Sequence, residues 1–364
     1  MTNHEHDAVM MARLFAVEGD LLGVRPFGNG HINDTFCAVF QQSGARRRTI
    51  LQRVNPSIFK NAAALMENVR RVTRHLASKA AGEPESERRV LTLIPLKDGR
   101  PWHVDADGTY WRMYRFIEQA RTYDAVSSLH QAFQAARAFG RFQALVADLP
   151  APPLSDTIPD FHHTPKRFAA LERAIAADVA ERVAGARPEI AFALARKPIA
   201  GVLLDAGLPV RTTHNDTKIN NVMLDEATGE GICVIDLDTV MPGLAPYDFG
   251  DMVRTATCPA PEDERDLSRV KMEFSLFEAL VRGYLDSAGS FLTGAEKQLL
   301  AFTGKLITFE QGIRFLTDYL SGDTYYKTCR EGQNLDRARA QFKLVESIER
   351  QQDRMERLVD SLAP

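Results

Sequence analysis

Residues 213–238 constrain this chain more than any other stretch. They read Thr213-His214-Asn215-Asp216-Thr217-Lys218-Ile219-Asn220-Asn221-Val222-Met223-Leu224, then a Gly-rich turn, then Ile235-Asp236-Leu237-Asp238. Val222–Leu224 and Ile232–Ile235 are short β-prone runs joined by a turn-rich connection, which predicts an antiparallel hairpin. With Leu224 opposite about Ile232, Asn221 falls opposite Ile235 or Asp236. Cross-strand neighbours have Cβ atoms roughly 4.5–5.5 Å apart, so Asn221 and Asp236 can share one cation through hard oxygen ligands, as Mg²⁺ prefers. Asp216 reaches the same mouth from the adjoining loop, with His214 bracing that loop. These are the parts that phosphoryl transfer uses: one carboxylate for an attacking hydroxyl, and an amide oxygen and second carboxylate for Mg²⁺ on nucleotide phosphates. Asn and Asp are also ordinary turn residues; the spacing of the whole set, not any single member, carries the reading. Asp238 is expected to support the cation's ligands, and Asp248 and Asp251 to bind backbone at a helix start.

At 364 residues the chain is long enough for two lobes. The net charge of −3 offers no basic footprint and argues against nucleic acid as a partner. Cys37, Cys233, Cys258 and Cys329 are scattered with no CxxC pair, which favours free thiols over disulfides or structural zinc. No signal peptide is visible at the N-terminus, and no run approaches the roughly 20 apolar residues of a membrane span. A cytoplasmic location without membrane attachment is expected. The sequence leaves the oligomeric state open, and a monomer is compatible with it.

The first third reads mostly as strands: Leu22–Phe27, Thr35–Phe40, Thr49–Val54, a stretch near Arg89–Ile94, and Tyr110–Ile117. A helix near Ala8–Glu18 precedes them. Another interrupts them, with Leu65, Val69, Val72 and Leu76 on one stripe and Asn61 as N-cap. From Ser128 onward the pattern turns helical, with long amphipathic stretches near 166–184, 268–288, 295–320 and 335–362. The expected fold class is therefore α+β and bilobal. A small antiparallel-sheet lobe (1–118) binds nucleotide, and a larger, mostly helical lobe (119–364) carries the catalytic loop and acceptor site.

Between the first two predicted strands lies Phe27-Gly28-Asn29-Gly30-His31-Ile32-Asn33, where glycines let backbone N–H groups approach phosphates. It is not a Walker A loop, since no Gly-Lys-Ser/Thr follows. His31 and Asn33 are polar groups near its tip. A kinase then wants a cation on the third strand, yet Gln52 stands there. Gln52 or the adjacent Arg53 must meet the phosphates, or the charge comes from elsewhere, and the partner of Glu67 in the following helix is not evident. The aromatic run Trp111–Glu118 enters the inter-lobe link, so main-chain groups around Phe116 and Glu118 are candidates to pair with adenine.

Taken together, these residues resemble the aminoglycoside phosphotransferase and choline kinase superfamily, whose brace is His-x-Asp-x₄-Asn followed by Ile-Asp-x-Asp. Within it the chain is similar to bacterial N-acetylhexosamine 1-kinases nearly end to end. The shared features include Gly30-His31-Ile32-Asn33, Ile50-Leu51-Gln52, Phe161-His162-x-Thr164-Pro165, Met241-Pro242-Gly243 and Gly312-x-Arg314-Phe315-Leu316-x-Asp318-Tyr319-Leu320. Gln52 fits that resemblance, which leaves phosphate charge to Mg²⁺ and backbone N–H groups. The resemblance implies a bilobal protein-kinase-like fold. It also implies transfer of the ATP γ-phosphate to the anomeric hydroxyl of N-acetylglucosamine or N-acetylgalactosamine. By position it makes Asp216 the base, Asn221 and Asp236 the Mg²⁺ ligands, and His31, Asn33, Arg314 and Tyr325 the sugar contacts. Three alternatives stay open: a kinase of the same superfamily for choline, homoserine, a methylthio-sugar or an aminoglycoside; a nucleotide-binding pseudokinase; and, last, a regulatory interaction module.

Overall fold

The computed structural model describes residues 3–28 and 32–362. In chain order, α1 (Asn3–Ala12) leads into β1 (Asp20–Pro26), β2 (Asp34–Gln42) and β3 (Ala45–Arg53). Then come α2 (Ala62–Ala80), α3 (Ser86–Arg89), β4 (Leu93–Ile94), β5 (His103–Val104), β6 (Tyr110–Arg115) and β7 (Ala120–Arg121). The helical part follows with α4 (Leu129–Val146), α5 (Thr164–Ala177), α6 (Arg187–Ala195) and α7 (Val202–Asp205). It is interrupted by β8 (Arg211–Thr213), β9 (Val222–Asp225), β10 (Gly231–Val234) and β11 (Met241–Gly243). It closes with α8 (Ala245–Ala256), α9 (Phe274–Ala288), α10 (Gly294–Gln298), α11 (Leu300–Leu320), α12 (Gln333–Glu349) and α13 (Gln352–Leu362).

Strand alternation sorts the first lobe into two faces. The sheet runs β1-β2-β3-β6-β4, with β5 also on β6 and every pair antiparallel. Phe36, Phe40, Leu51, Trp111 and Met113 pack with Ala8, Ala12 and Phe15 into one core. The alternate positions Thr35, Cys37, Arg48, Ile50, Gln52, Arg112 and Tyr114 therefore lie on the opposite, inter-lobe face. The Asn61 side chain accepts the Ala64 N–H at 3.1 Å, the N-cap expected of it. From there α2 buries Leu65, Val69, Val72 and Leu76 in a larger core shared with Phe139, Phe142, Val222 and Phe249 of the helical part.

Most departures from the sequence reading are at ends. The first helix stops at Ala12, not Glu18, because the chain turns there and Phe15 bridges to Leu96. The stretch near Arg89–Ile94 is a helical turn followed by a two-residue strand. The stretch 166–184 ends at Ala177, where Asp178 turns left-handed at φ +40°. The stretch 335–362 divides into α12 and α13. Strands β5, β7, β8 and β11 are only two or three residues long, too short to leave an alternation signal.

The predicted hairpin forms from β9 and β10, with β7 on its edge. Val222 pairs with Val234, and a register irregularity beyond Cys233 puts Gly231, rather than Ile232, opposite Leu224. At the mouth the expectation holds, since Ile235 N–H donates to the Asn221 carbonyl at 2.9 Å.

Helix α8 supports that mouth and is itself seated by glycines on α11. A Cβ at Gly250 would come within 2.6 Å of the Thr303 carbonyl, and one at Gly304 within 2.6 Å of Val253. No helix among the described residues is long and apolar enough to cross a membrane.

Candidate active site

The loop 214–217, between β8 and β9, is held from below by two carboxylates of α8. Asp248 accepts the N–H groups of His214 (2.9 Å) and Asn215 (2.7 Å), and Asp251 accepts that of Thr217 (2.8 Å). They do bind backbone, as expected, but that of the loop rather than of their own helix start. His214 braces the loop: its Nδ1 accepts the Asp216 N–H, and its Nε2 donates to the Ile235 carbonyl at 2.9 Å. Its ring lies edge-on to Phe139 and Phe142.

Two backbone positions in the left-handed region aim the polar groups. Asn215 sits at φ +66° and Asp236 at φ +59°, a conformation that costs a non-glycine residue and that Asn and Asp tolerate best. Asn221 donates its amide to the Asp216 carbonyl at 2.8 Å and to Asp216 Oδ2 at 3.1 Å. Its own side-chain oxygen makes no hydrogen bond within the described residues. Asp216, Asn221 and Asp236 therefore converge on one mouth.

Charge differs sharply among these carboxylates. Burial raises Asp216, but Lys218 Nζ at 2.8 Å, with help from His214 and Arg254, more than offsets it and holds Asp216 below the usual carboxylate range. The Asp216 charge in turn pushes Lys218 up to about 12. Asp236 makes no ion pair of its own. Its side chain is exposed, yet loss of hydration against the surrounding protein, then the charges of Asp238 and Asp216, push it up to about 7, with Arg112 and Lys218 only partly opposing them. A carboxylate with no ion-pair partner beside an amide oxygen suits a hard cation. Among the described residues no three His, Cys, Asp or Glu side chains gather as a metal cage, so the donor set fits Mg²⁺ shared with phosphates rather than a protein-only site.

The missing third-strand cation is answered by a residue that the sequence reading did not single out. Arg112 of β6 is buried, 1% exposed, and its Nη1 lies 2.5 Å from Asp238 Oδ1. Burial works against its charge, but Asp238 outweighs that and keeps it protonated. Arg112 Nε donates to Gln52 Oε1 at 3.0 Å, and Gln52 donates on to Thr35 at 3.1 Å. On the other side of Asp238, Asn33 Nδ2 donates to Oδ2 at 2.6 Å, while Asn33 Oδ1 accepts the Asn55 N–H at 3.0 Å.

Several expected site residues sit differently. The Asn33 amide gives one N–H to Asp238 and its oxygen to the Asn55 N–H, which ties the loop's second arm to Asp238. Arg53 follows Gln52 on the strand, so it turns to the other face, where it pairs with Asp34 at 3.3 Å. Glu67 pairs with Arg70 on its own helix at 2.5 Å. In the link, where main-chain groups are expected to meet adenine, the Glu118 carbonyl accepts Arg88 Nε at 3.2 Å; its side chain is taken by Arg48, whose guanidinium also lies 3.8 Å over the Phe116 ring. That cluster borders an open hollow on the cleft face lined by Gly23, Arg25, Cys37, Val39, Arg48 and Glu118. Gly28, at φ +76°, enters the glycine-rich loop; Asn29, Gly30 and His31 lie outside the described residues. Arg314 stands on α11 over Phe161 and Tyr326, at 5.3 and 5.8 Å, and Tyr325 is 56% exposed beside Tyr326.

A buried relay connects that last group to the loop 214–217. His162 Nδ1 meets Glu310 Oε1 at 2.8 Å, and its Nε2 meets the Asn215 carbonyl at 3.2 Å. Glu310 lies one turn before Arg314 on α11. The sequence motif around Phe161 contained this histidine, but nothing local pointed to its partner far along the chain.

Comparison with known proteins agrees with this geometry. Three solved structures share the fold along nearly the whole chain. A microcompartment-associated aminopropanol kinase is 16% identical, with 96% of this chain and 98% of that one covered and a TM-score of 0.60. Spectinomycin phosphotransferase APH(9)-Ia, in complex with ADP and spectinomycin, is 12% identical over 96% and 98%, with a TM-score of 0.58. Choline kinase from Cryptosporidium parvum is 15% identical over 99% of both chains, with a TM-score of 0.55. Residues 23–285 match the phosphotransferase enzyme family, APH. That match spans well over half of the chain, which therefore belongs to the APH phosphotransferase enzyme family and has its bilobal fold.

Proposed function

We propose that the chain transfers the γ-phosphoryl group of ATP to the anomeric hydroxyl of an N-acetylhexosamine, N-acetylglucosamine or N-acetylgalactosamine, giving the sugar 1-phosphate. The observation that carries the transfer is the meeting of Asp216, Asn221 and Asp236 at one mouth. The sugar assignment rests on the end-to-end motif resemblance and on the Arg314–Tyr325 group, which suits hydroxyls better than it suits a polycation.

In this reading the first lobe, 1–118, binds nucleotide, with Gly28–Gly30 over the phosphates and the Phe116–Glu118 link beside the base. Residues 119–364 bring the acceptor. Asn221 and Asp236 would hold Mg²⁺, which would offset the negative charge of the nucleotide phosphates. Asp216 orients the sugar hydroxyl. The hydroxyl oxygen forms the new bond to γ-phosphorus while the bond to the ADP oxygen breaks, and the hydroxyl proton passes to the Asp216 carboxylate. Lys218 keeps that carboxylate ionised, so Asp216 works more by positioning than by basicity, in keeping with a loose transition state. Arg112 positions Asp238, and through Asn33 the phosphate loop, next to the Mg²⁺ ligands.

An ADP-release screen of the purified chain with N-acetylglucosamine, N-acetylgalactosamine, glucose, galactose, choline and kanamycin tests the proposal. Turnover confined to the N-acetylhexosamines is expected. Turnover of choline or kanamycin alone moves the assignment elsewhere in the family, and nucleotide binding without turnover of any acceptor favours a pseudokinase.

A further inference from the structure

Partly buried arginines in this protein meet carboxylates as a rule. Arg182 pairs with Asp323 at 2.6 Å, Arg211 with Glu296 at 2.6 Å, Arg339 with Glu189 at 2.6 Å and Arg196 with Glu349 at 2.8 Å. Arg71 is an exception that gives its guanidinium to the Pro150, Pro152 and Pro153 carbonyls, and Arg167 and Arg314 are exceptions that stand side by side. Among the described residues Arg167, on α5, donates only to the Phe161 carbonyl, at 3.1 and 3.3 Å. Arg314, on α11, donates among the described residues only to Gln311, at 3.1 Å, and it lies over the ring of the same Phe161. Neither has a carboxylate oxygen within 4.0 Å among the described residues. The nearest acidic neighbour, Glu310, already has both oxygens engaged, one by His162 and one by the Thr164 hydroxyl at 2.6 Å. Burial, then the charge of Arg314, lowers the pKa of Arg167, so the two cations feel each other.

Their position is as informative as their charge. Phe161 precedes His162, which touches the Asn215 carbonyl, one residue from Asp216. The pair therefore stands beside the catalytic loop, on the acceptor's side of the proposed base. Burial opposes the charge of Arg314, but Tyr326 and Glu310 outweigh it and hold its guanidinium above the usual range, while Arg167 is lowered, so one carboxylate serves two neighbouring cations without an ion-pair contact to either. A ligand bringing negative oxygens would supply the missing charge, and planar guanidinium forks suit carboxylate, sulfate and phosphate.

We propose that Arg167 and Arg314 form a subsite for an oxyanion carried by the acceptor, away from the hydroxyl that is phosphorylated. This deepens the function proposed above and rests on its placing the acceptor beside Asp216. The preferred substrate is then an acid-bearing N-acetylhexosamine, with Tyr325 meeting its hydroxyls.

The test compares kcat/KM of the full chain for N-acetylglucosamine, its 6-sulfate, its 6-phosphate and N-acetylmuramic acid, in the wild type, Arg167→Gln, Arg167→Lys and Arg314→Gln. At least one acidic acceptor should exceed the neutral sugar about tenfold. Arg167→Gln should erase that ratio mainly through KM, and Arg167→Lys should keep part of it. A wild-type enzyme that treats all four alike, or a ratio untouched by both glutamine variants, overturns the subsite while leaving the 1-kinase reading intact. If no sugar is phosphorylated, the 1-kinase reading fails instead. The subsite is then judged by calorimetric titration with inorganic sulfate: affinity weakened at least fivefold by Arg167→Gln supports it, and affinity independent of both arginines overturns it.

Discussion

Arg112 and Asp238 form a fully buried ion pair between the sheet of the first lobe and the strand end that carries Asp236. The same arginine takes Gln52 on the third strand, and the same aspartate takes Asn33 from the end of the glycine-rich loop. One cation thus joins the sheet of the first lobe, the end of the glycine-rich loop and the segment that carries Asp236. A lysine on the third strand would point into the cleft; here the charge comes from the neighbouring strand and is spent on positioning.

Removing one partner of such a pair leaves the other buried and uncompensated, at about 3–5 kcal/mol. Arg112→Met should lower stability by about that much in urea unfolding. Combined with Asp238→Asn, it should show a coupling energy above about 1.5 kcal/mol, because the two share one interaction. Additive losses contradict the pairing.

Lys218 is the main offset to the burial of Asp216. In Lys218→Gln that offset goes, and the Asp216 pKa rises. The acid limb of the kcat/KM profile should move to higher pH, so activity is lost sooner on acidification. A limb that stays in place or moves down shows that Lys218 does not tune Asp216.

Asp236 gives a pH dependence of opposite origin. Its carboxyl is raised to about 7 in the folded chain, so below that pH it holds a proton that a cation must displace. Apparent Mg²⁺ affinity in the presence of ADP should fall about tenfold per pH unit below 7. The metal-free protein, whose folded state binds this proton more tightly than the unfolded state, should lose stability as pH rises from the ordinary carboxylate range through about 7. Calorimetry in two buffers should detect the released proton. Binding without proton release between pH 6 and 7 would place the metal away from Asp236.

Helix α8 must lie close to α11 for Asp248 and Asp251 to reach the loop. Gly250→Ala puts a Cβ against the Thr303 carbonyl, a backbone atom that cannot step aside. A loss of about 1–3 kcal/mol in stability is expected, together with a lower kcat from the displaced loop. Unchanged thermal unfolding and turnover contradict this account of the support.

How far the sequence could be read depended on whether partners were near one another along the chain. Asp216, Asn221 and Asp236 sit on one loop and one hairpin, so spacing and strand parity brought them together, and a bulge near Gly231 did not disturb the mouth. Parity also separates Gln52 from Arg53, a distinction the expectation of either one had left unused. Arg112 was hidden because an arginine in an aromatic strand looks like a solvated edge residue until its partner, on the other lobe, is known. His162 and Glu310 were hidden for the same reason. Asp248 and Asp251 were read as caps of their own helix, since nothing local shows that they serve a loop far upstream.

The central claim is that Asp216 directs an anomeric hydroxyl onto the γ-phosphate. The most direct measurement is NMR of the product formed from ATP and N-acetylglucosamine by the wild type and by Asp216→Asn. The account predicts phosphorus coupled to the anomeric proton, and a rate about 10²–10⁴-fold lower in the variant with ADP affinity unchanged within a few-fold. Phosphate on a primary hydroxyl, or near wild-type turnover by Asp216→Asn, contradicts it.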